Sequence, residues 1–528
     1  MERVRIGFLH HREELHLYLP AGTRLGLTLL NAPGEWRLAA EQAIPALVQP
    51  ALKVLESADR ALVEATVARL SAHGAILRDH APGGRWREAH VLPTWLVAVP
   101  LGELEDATAR EHMLREQSRP EDHILLASLR KELGDLAGVP GSVGPPALWH
   151  MKAPVRTQWI ARPQCGRILL EGPGGVMAAV DSPLRIVLPE SALAQVGDVR
   201  VGIGFHWDHL ERLGYEDTLE AWVEPGGHLG LVNELPLERY LTSVNSSEMT
   251  ADSPHHLLCA QTVAARSTIL ATRGRHHAGE PFDICADDHC QCFRGCGTIR
   301  EASALAARET AGQVLAWGGH ICDARYSKSC GGIVEAYEHV WEDQPVPYMP
   351  SFRDTCAPDP HFLRPTSEEG WRAWICSSED VWCNTEAFQL PAGLAYSDGF
   401  YRWQLRLERQ EAADHIRRVT GLSFQQLLDL VPGDRGLSGR LRSLVVRTDA
   451  GDFIIGKELT IRLALWKTCL YSAAIVLDWE GDVLVITGKG WGHGVGMCQL
   501  GATRMALEGR PWREILHHYY PLTAISAL

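Results

Sequence analysis

Residues 246–274 read SSEMTADSPHHLLCAQTVAARSTILATRG, and the second two-thirds of this stretch carries its own helix punctuation. Ser253 can cap a helix, Pro254 suits its first turn, and Arg273-Gly274 suits its end. Between them Leu257, Ala260, Val263, Ala264, Ile269 and Leu270 form an apolar helical face. Upstream, Leu219–Val223 and Leu229–Val232 read as a strand pair. Downstream, strands and helices alternate to a closing helix, Trp512–Tyr520, stopped by Pro521. The expectation is an α+β fold: a mixed sheet with helix 254–273 packed at its centre.

The N-terminal side has a different texture. Val4, Ile6 and Phe8, then Leu15, Leu17 and Leu19, alternate as in two short strands. An Ala/Leu-rich stretch, 37 to 75, has helical spacing in Ala61, Leu62, Ala65, Val67, Ala68 and Leu70. Charge and Gly/Pro punctuation from 115 to 150 read as a connection. Strand-like runs follow at Gly166–Leu170, Leu184–Leu188 and Val199–Phe205. The expected plan is an N-terminal region, 1–150, a β-rich linking region, 151–225, and a catalytic domain, 226–528.

With 528 residues, 45% of them hydrophobic and 22% charged, the chain can bury several cores. A net charge of −14 argues against a nucleic-acid binder, whose affinity rests on clustered Lys and Arg. No run of 18 or more apolar residues suggests a spanning helix. The start, Met1 to Leu9, lacks a sustained apolar h-region and reads as a strand rather than a secretory signal.

Six segments could carry chemistry. Glu248 sits just ahead of the capped helix, between Ser247 and Met249. There it is either a favourable first-turn charge or an acid whose proton is held by a partly apolar setting. Arg266 lies among alanines in mid-helix, so it either snorkels to the surface or meets a buried carboxylate. His277, Cys285, His289 and Cys290 offer two nitrogens and two sulfurs at short spacing, a tetrahedral zinc set. Cys292 and Cys296 are competing ligands, and a disulfide-bearing loop is the other reading.

Tyr326, Ser327, Ser329, Gly331 and Gly332 form a turn rich in hydroxyls and close-approach backbone; a plain tight turn reads equally well. The run Gly488 to Gln499, GKGWGHGVGMCQ, fits neither nucleotide-loop register. A glycine-lined loop presenting Trp491 and His493 suits a sugar: an aromatic face stacks on the ring and imidazole bonds a hydroxyl. His206-Trp207-Asp208-His209, without further placed ligands, reads as structural.

Together these segments resemble the SpoIID/LytB family (stage II sporulation protein D and amidase enhancer) from Leu229 to Pro521. The resemblance is carried by Glu234 to Leu241, Ser247-Glu248-Met249, Ala260 to Arg266, Phe282 to Cys285 with His289-Cys290-Gln291, Ser327 to Gly332, and Gly490 to Ala502. It implies lytic transglycosylase action on peptidoglycan glycan strands freed of stem peptides, with Glu248 as acid/base. Arg266, Gln261, Tyr326, Ser327, Ser329, Gly331, Gly332, Trp491, His493 and Gln499 would line the cleft. It also implies structural zinc on Cys285, His289, Cys290 and His277, a binding role as enhancer of a cell-wall amidase, and a cell-envelope or periplasmic setting. The N-terminal region, the absent export signal and the cysteines at 292, 296 and 330 depart from the simple family pattern.

Overall fold

The computed structural model describes residues 2–26, 28–30, 34–40 and 166–528, apart from 174–175, 204–207, 225–226, 250–252, 274–276, 278–279, 288, 342–343 and 358–360. Between 41 and 165 it describes the backbone of six short strands. The chain forms two compact units. The first comprises Met1–Arg115, Arg156–Ala251 and Ile269–Gly312. The second comprises Glu116–Val155, Asp252–Thr268 and Gln313–Leu528. Helices and several sheets share the chain, as an α+β fold requires.

The first unit is built on a seven-stranded sheet. Its order is Ile284–Cys285, Arg3–Arg12, Leu229–Pro236, Thr218–Val223, Leu184–Val187, Arg24–Leu25 and Thr28–Leu29. Only the pairing of Ile6 and Gly7 with Ile284 and Cys285 is parallel among those described. The period-two pattern read in the sequence is what the sheet buries: Val4 and Ile6 are at most 1% exposed, and Leu15, Leu17 and Leu19 at most 2%. Leu15 to Leu19 belong to a second, six-stranded antiparallel sheet, and Phe8 of the first sheet stacks on Tyr215 of the second with ring centroids 4.0 Å apart.

The stretch 37–75 begins as strand rather than helix at 37–40 and 49–57. Gly34–Ala40 is a strand paired with Glu14–Leu19 and with Arg167–Gly172, and Gln49–Ser57 is a strand paired with Thr94–Pro100. Leu38, fully buried between two strands, shows why: cross-strand burial outweighs the helix preference of its alanine neighbours. Residues 58–75, the connection at 115–150 and the pair His206-Trp207 lie outside the described residues.

In the second unit a three-stranded sheet, ordered Arg402–Glu408, Val483–Lys489 and Ile475–Glu480, and a second one, Leu427–Pro432, Leu444–Thr448 and Gly451–Ile455, close over helices Arg409–Thr420 and Glu458–Ala464. Arg409–Thr420 ends on Gly421 in the left-handed conformation, with the Gly421 N–H on the Arg417 carbonyl. The helix His255–Thr272 forms as the sequence predicts and is buried on every side from Leu257 to Thr272. Two of its buried hydroxyls are satisfied locally: Thr262 donates to the Leu258 carbonyl at 2.8 Å and Ser267 to that of Val263 at 2.7 Å.

Candidate functional site

Glu248 is where the sequence reading needs its most consequential correction. It does not lie at the start of a helix; it is the last residue of one, Leu237–Glu248, which opens after Pro236 and ends ahead of helix His255–Thr272. The signal was present, since Leu237, Tyr240, Leu241 and Val244 repeat at three, four and seven residues and are all buried. A helix C-terminus is the end of the macrodipole that disfavours negative charge, so the first-turn stabilisation of the anion does not operate here.

The loop 285–300 runs beside this helix and is fastened to it four times. Tyr240, fully buried, donates to Gln291 Oε1 at 2.8 Å, and Ser243 donates to the Gly295 carbonyl. Ser246 accepts from the Arg300 N–H at 3.0 Å, and Glu248 Oε1 accepts from the Cys292 N–H at 3.4 Å. Glu248 is half-buried, beside Met249 at 3% exposure.

Two residues before Cys292, the same loop carries the predicted ligand set. His277, Cys285, His289 and Cys290 bring one donor atom each within 4.8 Å of the others, so the group could hold a metal ion. Cys290 Sγ lies 3.4 Å from His277 Nε2 and 3.6 Å from His289 Nδ1, and Cys285 Sγ lies 3.8 Å from His289 Nδ1. Zinc bonds of about 2.0–2.3 Å in a tetrahedron require ligand separations of about 3.3–3.8 Å, so donor type and spacing both fit. All four cysteines of the segment 285–296 are free thiols, as the ligand reading needs. Cys296 is buried away from the set, its N–H on the Gly214 carbonyl at 2.7 Å. A cavity of about 740 Å³ in this unit, lined among others by Glu216, Asp217, Glu238 and Arg239, includes neither Glu248 nor the ligand set.

The remaining predicted residues belong to the second unit. The Tyr326–Ser327 strand pairs in parallel with Met497–Cys498, and Ser329 and Trp491 exchange backbone hydrogen bonds of 3.1 and 2.9 Å. The turn carrying Gly331 and Gly332 is thus stitched to the glycine loop. Two glycines of that loop are required by protein, not by a ligand. A Cβ on Gly496 would lie 1.9 Å from the Arg325 carbonyl oxygen, and one on Gly494 would lie 2.3 Å from the Arg440 guanidinium carbon.

Several expected cleft roles change accordingly. Arg266 is 0% exposed, and its Nη1 donates to the Gln313 carbonyl at 3.0 Å, so it neither snorkels nor lines a cleft. Trp491 stacks on Phe400 at 3.6 Å and on Tyr471 at 4.3 Å, and those two rings are 6.5 Å apart. That separation is too large for one face, so both faces of Trp491 are covered by protein and only its edge is left to a ligand. Gln499 Nε2 meets Gln261 Oε1 at 3.4 Å, and both side chains are buried.

His493 is held from both sides. Its Nδ1 accepts from the Val495 N–H at 3.0 Å, its ring is bonded to the Tyr326 backbone, and it packs edge-on against Trp341. Burial, then the charges of Arg325, Arg440 and Arg462, push its pKa well below the usual value of 6.5. The unfolded chain therefore takes up this proton first, and the stabilisation is complete above pH 6.5 and declines as pH falls below it. Wild-type Tm should fall between pH 7.5 and 5.5, and His493→Asn should flatten that slope; equal slopes in a thermal-shift series would contradict the assignment.

The residues that sequence reading missed are the buried polar locks of the second unit. Arg440 (1% exposed) donates to the carbonyls of Cys330, Ser329 and Gly492. Glu335 (0% exposed) accepts from Ser438, His339 and three backbone N–H groups.

Comparison with known proteins bears out the resemblance. Residues 225–317 match the family described as "Stage II sporulation protein", and residues 335–496 match a domain of unknown function, DUF8618. The resemblance read from the motifs to the SpoIID/LytB family is therefore sound. Among individual relatives, the chain is 27% identical to the amidase enhancer of Bacillus subtilis strain 168 over 54% of its own length and 40% of that protein's. It is 25% identical to stage II sporulation protein D of the same organism, over 56% of this chain and 76% of the relative. An uncharacterized protein of Brachyspira hyodysenteriae is 25% identical over 62% and 77%. The chain thus spans about two-fifths of the length of the amidase enhancer it matches.

Proposed function

We propose that this chain is a cell-envelope lytic transglycosylase that cleaves peptidoglycan glycan strands lacking stem peptides, with Glu248 as its single acid and base. The observation that carries this reading is the position of the Glu248 carboxylate. It is half-buried at a helix C-terminus and touched by the Cys292 N–H of the loop that bears the His/Cys set. Hydrolysis of a glycoside commonly needs two carboxylates, whereas ring closure needs one that works twice. The Glu248 carboxyl would give its proton to the leaving glycosidic oxygen. The resulting carboxylate would take the proton of the muramoyl C6 hydroxyl as that oxygen closes the 1,6-anhydro ring.

His277, Cys285, His289 and Cys290 would hold zinc, whose contribution when bound is structural, because four protein ligands leave no open position. The chain's own part is mechanical: the fixed loop holds the Cys292 N–H against Glu248, and Tyr240–Gln291 holds the loop against the helix. Tyr326 and the turn to Gly332 remain the candidates for glycan contact.

A second reading, a non-enzymatic glycan-binding activator of a cell-wall amidase, is favoured by the amidase-enhancer similarity and by the covered faces of Trp491. Mass spectrometry of purified denuded glycan after incubation separates the two. New 1,6-anhydromuramoyl ends are the expected result; bound glycan without new ends would establish the activator.

A further inference from the structure

A second group of metal-ligand type lies in the second unit. Cys330, Asp354, Cys383 and Cys498 are each buried, at 2%, 0%, 0% and 0% exposure, and bring one donor atom apiece within 4.8 Å of the rest. They come from four separate places: the Ser327–Gly332 turn, a bridge-forming segment, the segment after helix Glu368–Cys376, and the start of helix Gln499–Leu507. Four distant segments meeting on three sulfurs and a carboxylate is not a by-product of one local turn.

The plain alternative is three cysteines used as small buried hydrophobes. Two features speak against it. First, a fully buried carboxylate stands among the sulfurs: Asp354 Oδ2 is 3.3 Å from Cys330 Sγ. A buried carboxylate is costly unless paired or bound to a metal. Its other oxygen, Oδ1, meets His518 Nε2 at 2.8 Å, and Tyr519 donates to Oδ2 at 3.1 Å, the kind of support that orients a ligating carboxylate. Second, backbone N–H groups are aimed at sulfur. Cys498 Sγ accepts from the N–H groups of Cys330 at 3.2 Å and Gly501 at 3.4 Å, and Cys330 Sγ accepts from that of Gly332 at 3.3 Å. Such donors stabilise thiolates, and Cys498 also caps the positive end of a nine-residue helix.

Spacing selects the occupant. Cys330 Sγ and Cys383 Sγ are 3.6 Å apart, inside the range of about 3.3–3.8 Å that a single tetrahedral zinc sets between its ligands. A [4Fe–4S] cluster would place its thiolates on separate irons, farther apart than these two sulfurs lie. Soft thiolates exclude magnesium and calcium.

We propose that Cys330, Cys383, Cys498 and Asp354 form a second, structural zinc site, independent of the His277 group. Binding exchanges the thiol protons, released to solvent, for one divalent ion with no change of oxidation state. The site ties the Ser327–Gly332 turn to the start of helix Gln499–Leu507 and to the interior of the DUF8618 region. It requires neither the transglycosylase reading nor zinc at the first group.

The test is zinc per chain, by elemental and native mass spectrometry, on the full-length protein purified without chelator. Wild type should carry two zinc ions, Cys290→Ser one, Cys383→Ser one, and the double variant none. If the His277 group holds no metal, wild type should carry one ion that Cys383→Ser removes and Cys290→Ser does not. Unchanged zinc in Cys383→Ser, or a native mass two hydrogens light with no second ion, overturns the proposal. Should Cys383→Ser fail to fold, Asp354→Asn keeps the shape of the side chain and should weaken the second zinc at least tenfold. Cobalt substitution of Cys290→Ser adds a readout, since thiolate-to-cobalt absorption must survive there; its absence also overturns the site.

Discussion

Glu248→Gln is expected to abolish formation of 1,6-anhydromuramoyl ends while leaving fold, metal content and glycan binding intact. A positioned general acid or base contributes about 10²–10⁴-fold, and here one group would serve in both roles, so a loss of at least about 10³-fold is anticipated. The amide is a suitable replacement because Glu248 accepts from the Cys292 N–H and Gln retains that acceptor oxygen. Helix Leu237–Glu248 is anchored by Tyr240, Ser243 and Ser246, none of which the substitution touches. Product mass spectrometry should show the loss, and unchanged Tm should show that it is chemical. Undiminished product from Glu248→Gln would end the assignment of this residue. Activity absent in both proteins, with glycan retained by both, would move the chain to the activator reading.

The parts of this site that were legible in the sequence are those written locally. His277, Cys285, His289 and Cys290 fall within fourteen residues, so chain connectivity alone keeps them close, and the structure places their donor atoms together. Helix His255–Thr272 announced itself through its boundaries and spacing. The turn at Ser327–Gly332 and the glycine loop were legible as a pair only through their order in the family pattern; their physical partnership is a backbone bridge between residues 162 positions apart.

What misled the reading was also local. The polar stretch Asn245 to Glu248 hides the end of a helix whose apolar positions lie earlier, at Leu237, Tyr240, Leu241 and Val244. Glycines at 494 and 496 looked like space for a sugar, yet they are space for Arg440 and for the Arg325 carbonyl. Arg266 looked like a candidate ligand contact because nothing in its neighbourhood reveals that its partner is a carbonyl 47 residues on. Asp354, Cys383 and Arg440 carried no motif at all. A buried polar network that joins segments more than a hundred residues apart leaves no periodic trace, since each member is a single residue in an unrelated local context.

Arg440→Leu should be the most destabilising single change in the second unit. The guanidinium reaches three buried carbonyls in a fan: Nη1 to Cys330 at 3.0 Å, Nη2 to Ser329 at 3.3 Å, and Nε to Gly492 at 3.2 Å. Its Nη1 also donates to Ser438 Oγ at 3.0 Å, and that hydroxyl donates onward to Glu335 Oε2 at 2.6 Å. Leucine approximates the apolar bulk but removes the donors to the Cys330 and Gly492 carbonyls, leaves the Ser329 carbonyl to the Trp491 N–H, and cuts one end of the Glu335 network. Breaking a buried charge network in this way costs about 3–5 kcal/mol. At about 2–4 °C per kcal/mol for a unit of this size, Tm should fall by roughly 10 °C. Arg440→Lys tests geometry against charge, since one ammonium cannot span three carbonyls in different directions; it should recover only a minor part of the loss. Calorimetry on the three proteins decides the matter. A lysine variant as stable as wild type would mean that charge alone suffices, and an unchanged Tm in Arg440→Leu would mean that the turn and the glycine loop are held together by their backbone bridge without the arginine.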